Sequence, residues 1–185
     1  ASQVMVPYVA NLYENAPEEI AKIYLDTYRV IFFLSLPLYA GVVAVSPLAS
    51  ELWIGHYEQG FMVFTALLVS AFWLNTLATP AYFVNLGTGL LRWNTGSVVI
   101  MAMLNVILGY FLGDILGGTG VALGYVLASV IGSGVIILGY HHEQRISLLE
   151  LLPRESKKLC IACCIGLIVG GASFYLVNIE GAAIT

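Results

Sequence analysis

The sequence predicts an all-α protein, a polytopic bundle of helices built to lie in a lipid bilayer. Three observations predict it. Of 185 residues, 59% are hydrophobic and only 10% are charged, where soluble domains carry about 25% charged residues. The mean hydropathy is +0.90, so a water-facing surface cannot be covered and lipid must solvate most side chains. The apolar residues gather into long runs without the period-2 alternation that a membrane barrel needs. About five full transmembrane helices are expected, with the end of a sixth and one short interfacial helix.

The elements follow in order. Residues 1–13 look like the tail of a helix whose start is missing. Asn15-Ala16-Pro17-Glu18-Glu19 is a helix-start signal, in which Asn15 can cap and the acids suit the positive end of the helix dipole. Beyond it, Glu18, Lys22, Asp26 and Arg29 share one helical face, and Ile20, Ile23, Tyr24, Thr27 and Tyr28 the other. This segment is the expected interfacial helix, lying along the membrane surface. Runs long enough to span, for which about 20 residues suffice, cover approximately residues 30–49, 61–84, 97–116, 120–140 and 159–178. Gly117-Gly118-Thr119 reads as a tight hairpin between the third and fourth.

The same inventory excludes several classes. Nucleic-acid binding is not expected, because the seven Lys and Arg form no basic stripe. Cys160, Cys163 and Cys164 sit inside an apolar run without His or carboxylate neighbours, so they read as buried thiols rather than disulfides or a metal site. His141 and His142 are adjacent and cannot share a helix face. No Ser/His/Asp or Cys/His grouping stands out, so no enzyme, no cofactor and no metal is predicted. Gly118-Thr119-Gly120-Val121-Ala122-Leu123-Gly124 has the glycines of a phosphate-binding loop but neither its lysine nor its strand–helix frame. The chain opens on Ala1 without a signal peptide and stops at Thr185 without a polar tail. Both ends read as cut edges of a longer membrane protein.

Lys and Arg also suggest sidedness. They fall in alternate connections, 14–29, 85–96 and 141–158, which the positive-inside rule places in the cytoplasm. Trp53, Tyr57 and Trp93 then fall where aromatic belts are expected.

Small residues recur at helical spacing. Gly120, Gly124, Ala128 and Gly132 form a stripe with four-residue spacing, and the pairs Gly109–Gly113 and Gly166–Gly170 repeat that spacing. Such stripes let helix backbones approach closely in lipid. Pro37, Pro47 and Pro80 interrupt spans and can kink them. Polar residues inside the spans are few, and lipid cannot satisfy them. Asn75 and Asn105 are the deepest; with Tyr110, Tyr125 and the inner-turn Arg92 they are the candidates for lining a substrate pathway. Each also has a structural reading: interhelical hydrogen bonding for the asparagines, a topology-setting charge for Arg92.

The order of pieces resembles a known family. Tyr28-Arg29-Val30-Ile31-Phe32-Phe33-Leu34-Ser35-Leu36-Pro37-Leu38 is followed by Ser46-Pro47-Leu48 and Leu52-Trp53-Ile54-Gly55-His56-Tyr57. Asn75-Thr76-Leu77-Ala78-Thr79-Pro80, Gly89, Arg92-Trp93-Asn94 and Asn105-Val106-Ile107-Leu108-Gly109-Tyr110 come next, then Gly117-Gly118-Thr119-Gly120-Val121-Ala122. Over roughly residues 1–165 this resembles the C-terminal half of a polysaccharide-biosynthesis flippase of the multidrug/oligosaccharidyl-lipid/polysaccharide exporter superfamily. The resemblance implies a single membrane domain over 1–185, one bundle (about helices 8–13) of a two-bundle transporter in the cell's inner membrane. It implies export of lipid-linked oligosaccharide by alternating access, with membrane lipid, that substrate and the missing other half as partners. A cation-coupled multidrug antiporter of the same fold is the alternative, but Asp114 is the single acid within a span and it lies near an end. A membrane-embedded transferase or a non-catalytic assembly subunit would also suit so apolar a chain.

Overall fold

A computed structural model describes residues 2–151 and 156–166. The chain is all-α, and among the described residues there is no strand. The helices are α1 (Ser2–Asn15), α2 (Glu19–Ile54), α3 (Gln59–Thr88), α4 (Arg92–Leu116) and α5 (Gly118–Gln144), followed by a 3-10 turn (Leu148–Glu150) and a helical segment at 156–166. Among the described residues, 4 helices are long and apolar enough to cross a membrane. They correspond to α2, α3, α4 and α5, and the protein is a membrane protein. The expected span at 159–178 lies largely outside the described residues, as does Gly170 of its proposed glycine pair.

The interfacial helix is corrected. Residues 19–29 are not a separate element lying on the membrane but the first turns of α2, which runs unbroken for 36 residues. At 1.5 Å per residue that is about 54 Å, well beyond the roughly 30 Å of a hydrocarbon core. Nothing between Glu19 and Pro37 breaks a helix, and the apolar face carrying Ile20, Tyr24 and Tyr28 is buried against the rest of the protein. Packing, not lipid, therefore claims that face. Asn15 does not cap α2. It is the last residue of α1, where its amide donates to the Asn11 carbonyl at 2.9 Å, and the N-cap position belongs to Glu18.

The prolines do not end their helices. Pro47 has no N–H for the Val43 carbonyl, but the Ser46 hydroxyl donates to that carbonyl at 2.7 Å. At the next turn, Ser50 Oγ donates to the His56 carbonyl and accepts from the Glu58 amide, both at 3.0 Å, which fixes the connection into α3. Between α4 and α5 the hairpin closes on Gly117 alone, at φ 60° and ψ −141°. A side chain is rarely tolerated in that conformation.

The helices pack in a row. α5 lies between α4 and α3, α3 lies between α5 and α2, and α1 leans on α3. The α4–α5 contact is the most extensive, and small residues make it so. A Cβ on Gly120 would collide with the Leu112 carbonyl, and one on Gly124 would lie 2.7 Å from the Gly109 amide nitrogen. One on Gly113 would lie 2.9 Å from a Val121 methyl, and one on Gly132 3.0 Å from Met101 Cβ. Ala128 is fully buried in the same line. Gly166, by contrast, faces open space.

Candidate functional site

Because α2 and α4 begin where α3 and α5 finish, one end of the bundle collects the charged residues Lys22, Arg29, Arg92, Glu143 and Arg145. Polar contacts cross-link the helices there. The long α2 brings Tyr24 to the last turns of α5. His141 Nδ1–H donates to the Ile146 carbonyl at 3.0 Å, which leaves Nε2 as the acceptor for the Tyr24 hydroxyl at 2.8 Å. The Tyr24 ring packs against Tyr140 at 4.4 Å and meets the His141 ring edge-on at 5.5 Å. Tyr24, Tyr140 and His141 are all buried, whereas His142 is exposed. Nearby on α2, Arg29 forms an ion pair with Asp26 at 3.6 Å and donates to the Glu150 carbonyl at 2.9 Å.

Arg92 belongs to this end. Its guanidinium donates to Glu143 Oε2 at 2.8 Å, and the Trp93 indole donates to the same oxygen at 2.7 Å. The guanidinium also stands 5.1 Å from the Trp93 ring centroid. Arg92 is thus committed to α5, although 64% of its side chain stays exposed. Deeper, Asn85 donates to Asn94 at 3.0 Å, and Asn94 donates to the Tyr82 carbonyl at 2.9 Å. Ser97 donates to the Gly132 carbonyl at 2.6 Å.

The remaining pathway candidates are not brought together. Asn75 is exposed near the middle of α3 and lines a groove of about 250 Å3 with Ala78, Thr79, Tyr82, Phe83 and Ile136. Tyr125 on α5 faces the same side of α3 and is half-buried against Phe72, with ring centroids 6.3 Å apart. Asn105 and Tyr110 instead lie exposed on α4, and Tyr110 is 74% exposed. α4 packs chiefly on α5, so these two share no cavity with Asn75. At the opposite end from Arg92 and Glu143, an apolar groove of about 600 Å3 lies between α2 and α3, from Leu38 to Trp53. Cys160, Cys163 and Cys164 are free thiols lining a cavity of about 280 Å3 beside Tyr39 and Trp73.

Sequence reasoning missed Tyr24, His141, Glu143, Asn85, Asn94, Thr79 and Tyr82 as members of these arrangements. For Asn85 and Asn94 a signal was present: two amides nine residues apart, flanking the α3–α4 connection. For Tyr24 and His141 no local signal exists. Among the described residues, no group of three His, Cys, Asp or Glu side chains is placed to hold a metal ion. Comparison with protein-family models, curated proteins and solved structures found no match.

Proposed function

We propose that this chain is one helical bundle of a transporter that moves a lipid-linked oligosaccharide across the inner membrane by alternating access, without a catalytic site of its own. The observation that carries the reading is Asn75, an amide near the middle of a 30-residue apolar helix that lies exposed in an open groove. Asn75 is about 24 Å from the start of α3 and about 20 Å from its end, close to the bilayer midplane. Lipid cannot satisfy an amide there, so water, substrate or another part of the transporter must. The sequence resemblance supplies the substrate class, and the charged end supplies the orientation: the positive-inside rule sets Lys22, Arg29, Arg92 and Arg145 in the cytoplasm. In this reading the other half of the transporter closes the open side of the bundle.

The test is complementation. The gene, expressed in a bacterial strain deleted for its own polysaccharide flippase, is expected to restore surface polysaccharide. Well-expressed protein that restores none in several such strains, yet confers sodium- or proton-dependent drug efflux, overturns the proposal in favour of an antiporter.

A further inference from the structure

The face of α3 that runs along this groove changes character along its length. Leu68 and Phe72 are exposed and apolar, Asn75, Thr79 and Tyr82 follow at helical spacing, and Leu86 closes the series. These positions share a face because residues three and four apart on a helix are neighbours. The polar stretch starts near mid-depth and extends about 10 Å toward the charged end. There the Tyr82 backbone is held by Asn94. At the other limit, the Phe72 ring leans against Tyr125.

The groove sets Asn75, Thr79 and Tyr82 beside the apolar Ala78, Phe83 and Ile136, and its lining carries no charge. The Asn75 amide offers two donors and an acceptor. The Thr79 hydroxyl donates to the backbone carbonyl of Asn75 at 3.3 Å and keeps its own lone pairs to accept. Tyr82 and Phe83 meet edge-to-face, with centroids 5.4 Å apart and planes at 87°, giving an aromatic wall beside the polar groups. A phosphate or a cation would find no counter-charge here to repay the water it gives up on binding. A neutral polyol needs none, because its hydroxyls can both donate and accept while its C–H face lies against a ring.

We infer that Asn75, Thr79 and Tyr82 form a water-filled binding site, reached from the charged end, for an uncharged, hydroxyl-rich group such as a sugar ring. The inference rests on the transport reading for its biological role. It separates two tasks: the groove handles neutral hydroxyls, and any phosphate is handled elsewhere.

The test uses the full chain in liposomes with its three cysteines replaced by alanine and single cysteines introduced by N75C, T79C, Y82C or L68C. A charged, water-soluble maleimide is the reagent, since the thiolate that reacts needs water. Labelling at 75, 79 and 82 is expected to be at least about tenfold faster than at 68. Methyl glucoside is expected to slow it severalfold, and inorganic phosphate at equal ionic strength to leave it unchanged. N75C and T79C carry the decision, because they remove few atoms and keep the aromatic wall. Equal labelling along the face, or protection by phosphate instead of glucoside, overturns the site. A labelled, glucoside-protected groove in a protein that restores no polysaccharide keeps the site and drops the transport role. Restored polysaccharide with positions 75 and 79 unlabelled drops the site alone.

Discussion

The two flanks of α5 face neighbours of similar length and composition, yet one flank is sealed and the other leaves a groove. Toward α4, Gly120, Gly124, Ala128 and Gly132 present almost no side chain, and the backbones meet. Toward α3, the larger Tyr125 and Ile136 stand at the contact, and a groove remains beside Asn75 and Tyr82. Hydrophobicity does not separate the two flanks, because mean hydropathy is high throughout. Side-chain size does. In lipid, where apolar surface gains nothing by association, close contact depends on van der Waals packing at small residues. Bulky residues leave room for something else.

The sharpest way to break this comparison lies within α5. Gly120→Ala places a methyl group into the Leu112 carbonyl, a backbone atom that cannot yield without moving α4. A loss of about 1–3 kcal/mol is expected, the usual cost of overpacking. Gly134→Ala, on the same helix but facing open space, should be neutral or stabilising by up to about 1 kcal/mol, because alanine is the better helix former. Reversible unfolding in mixed micelles reads both. Equal effects of the two substitutions would mean that the α4–α5 seam does not hold the bundle.

A hydrogen-bonded contact tests the third side of α5, where α2 reaches it near the charged end. Tyr24→Phe removes the hydroxyl that His141 Nε2 accepts and leaves that nitrogen buried without a partner. About 1–3 kcal/mol is expected to be lost. His141→Phe alone also gives up the bond to the Ile146 carbonyl, so the loss in the double variant should be smaller than the sum of the two single losses, because the Tyr24–His141 bond is broken only once. Additive losses in that double variant would argue that the pair is not the link between α2 and α5.

The spans and the glycine stripe were legible because both are local. A hydropathy run and a four-residue repeat need no knowledge of what lies opposite. Each helix exceeds its expected span by several residues at an end, because hydropathy falls where the chain leaves lipid while the backbone hydrogen bonds continue. Residues 19–29 show this most clearly: their amphipathic pattern suits a membrane surface, and a protein surface uses the same pattern. The polar contacts were far less legible. Tyr24 and His141 are 117 residues apart in sequence, and no spacing announces their meeting. Asn75 and Asn105 read alike as mid-span amides, but one lines a groove and the other lies on the outer face of α4. The difference depends on how each helix is rotated about its axis. A helix that is apolar on every side carries little of that information.

The smallest expected effect concerns Arg92, whose contacts with Glu143 and the Trp93 ring reinforce the sealed flank of α5 at the charged end. Arg92→Gln should cost no more than about 1 kcal/mol, because an exposed ion pair is weak. Glu143→Leu should cost more, since it also removes the acceptor of the half-buried Trp93 indole, a bond worth about 0.5–1.5 kcal/mol. A change in Trp93 fluorescence should accompany Glu143→Leu and be slight in Arg92→Gln. The Trp93 ring also lies where a Cβ on Gly139 would fall, so ring and glycine already fix α4 against α5 without the charge. If Arg92→Gln proved as costly as Glu143→Leu, the charge rather than the indole would be fastening the two helices. The sealed flank would then owe its closure at this end to electrostatics and not to size.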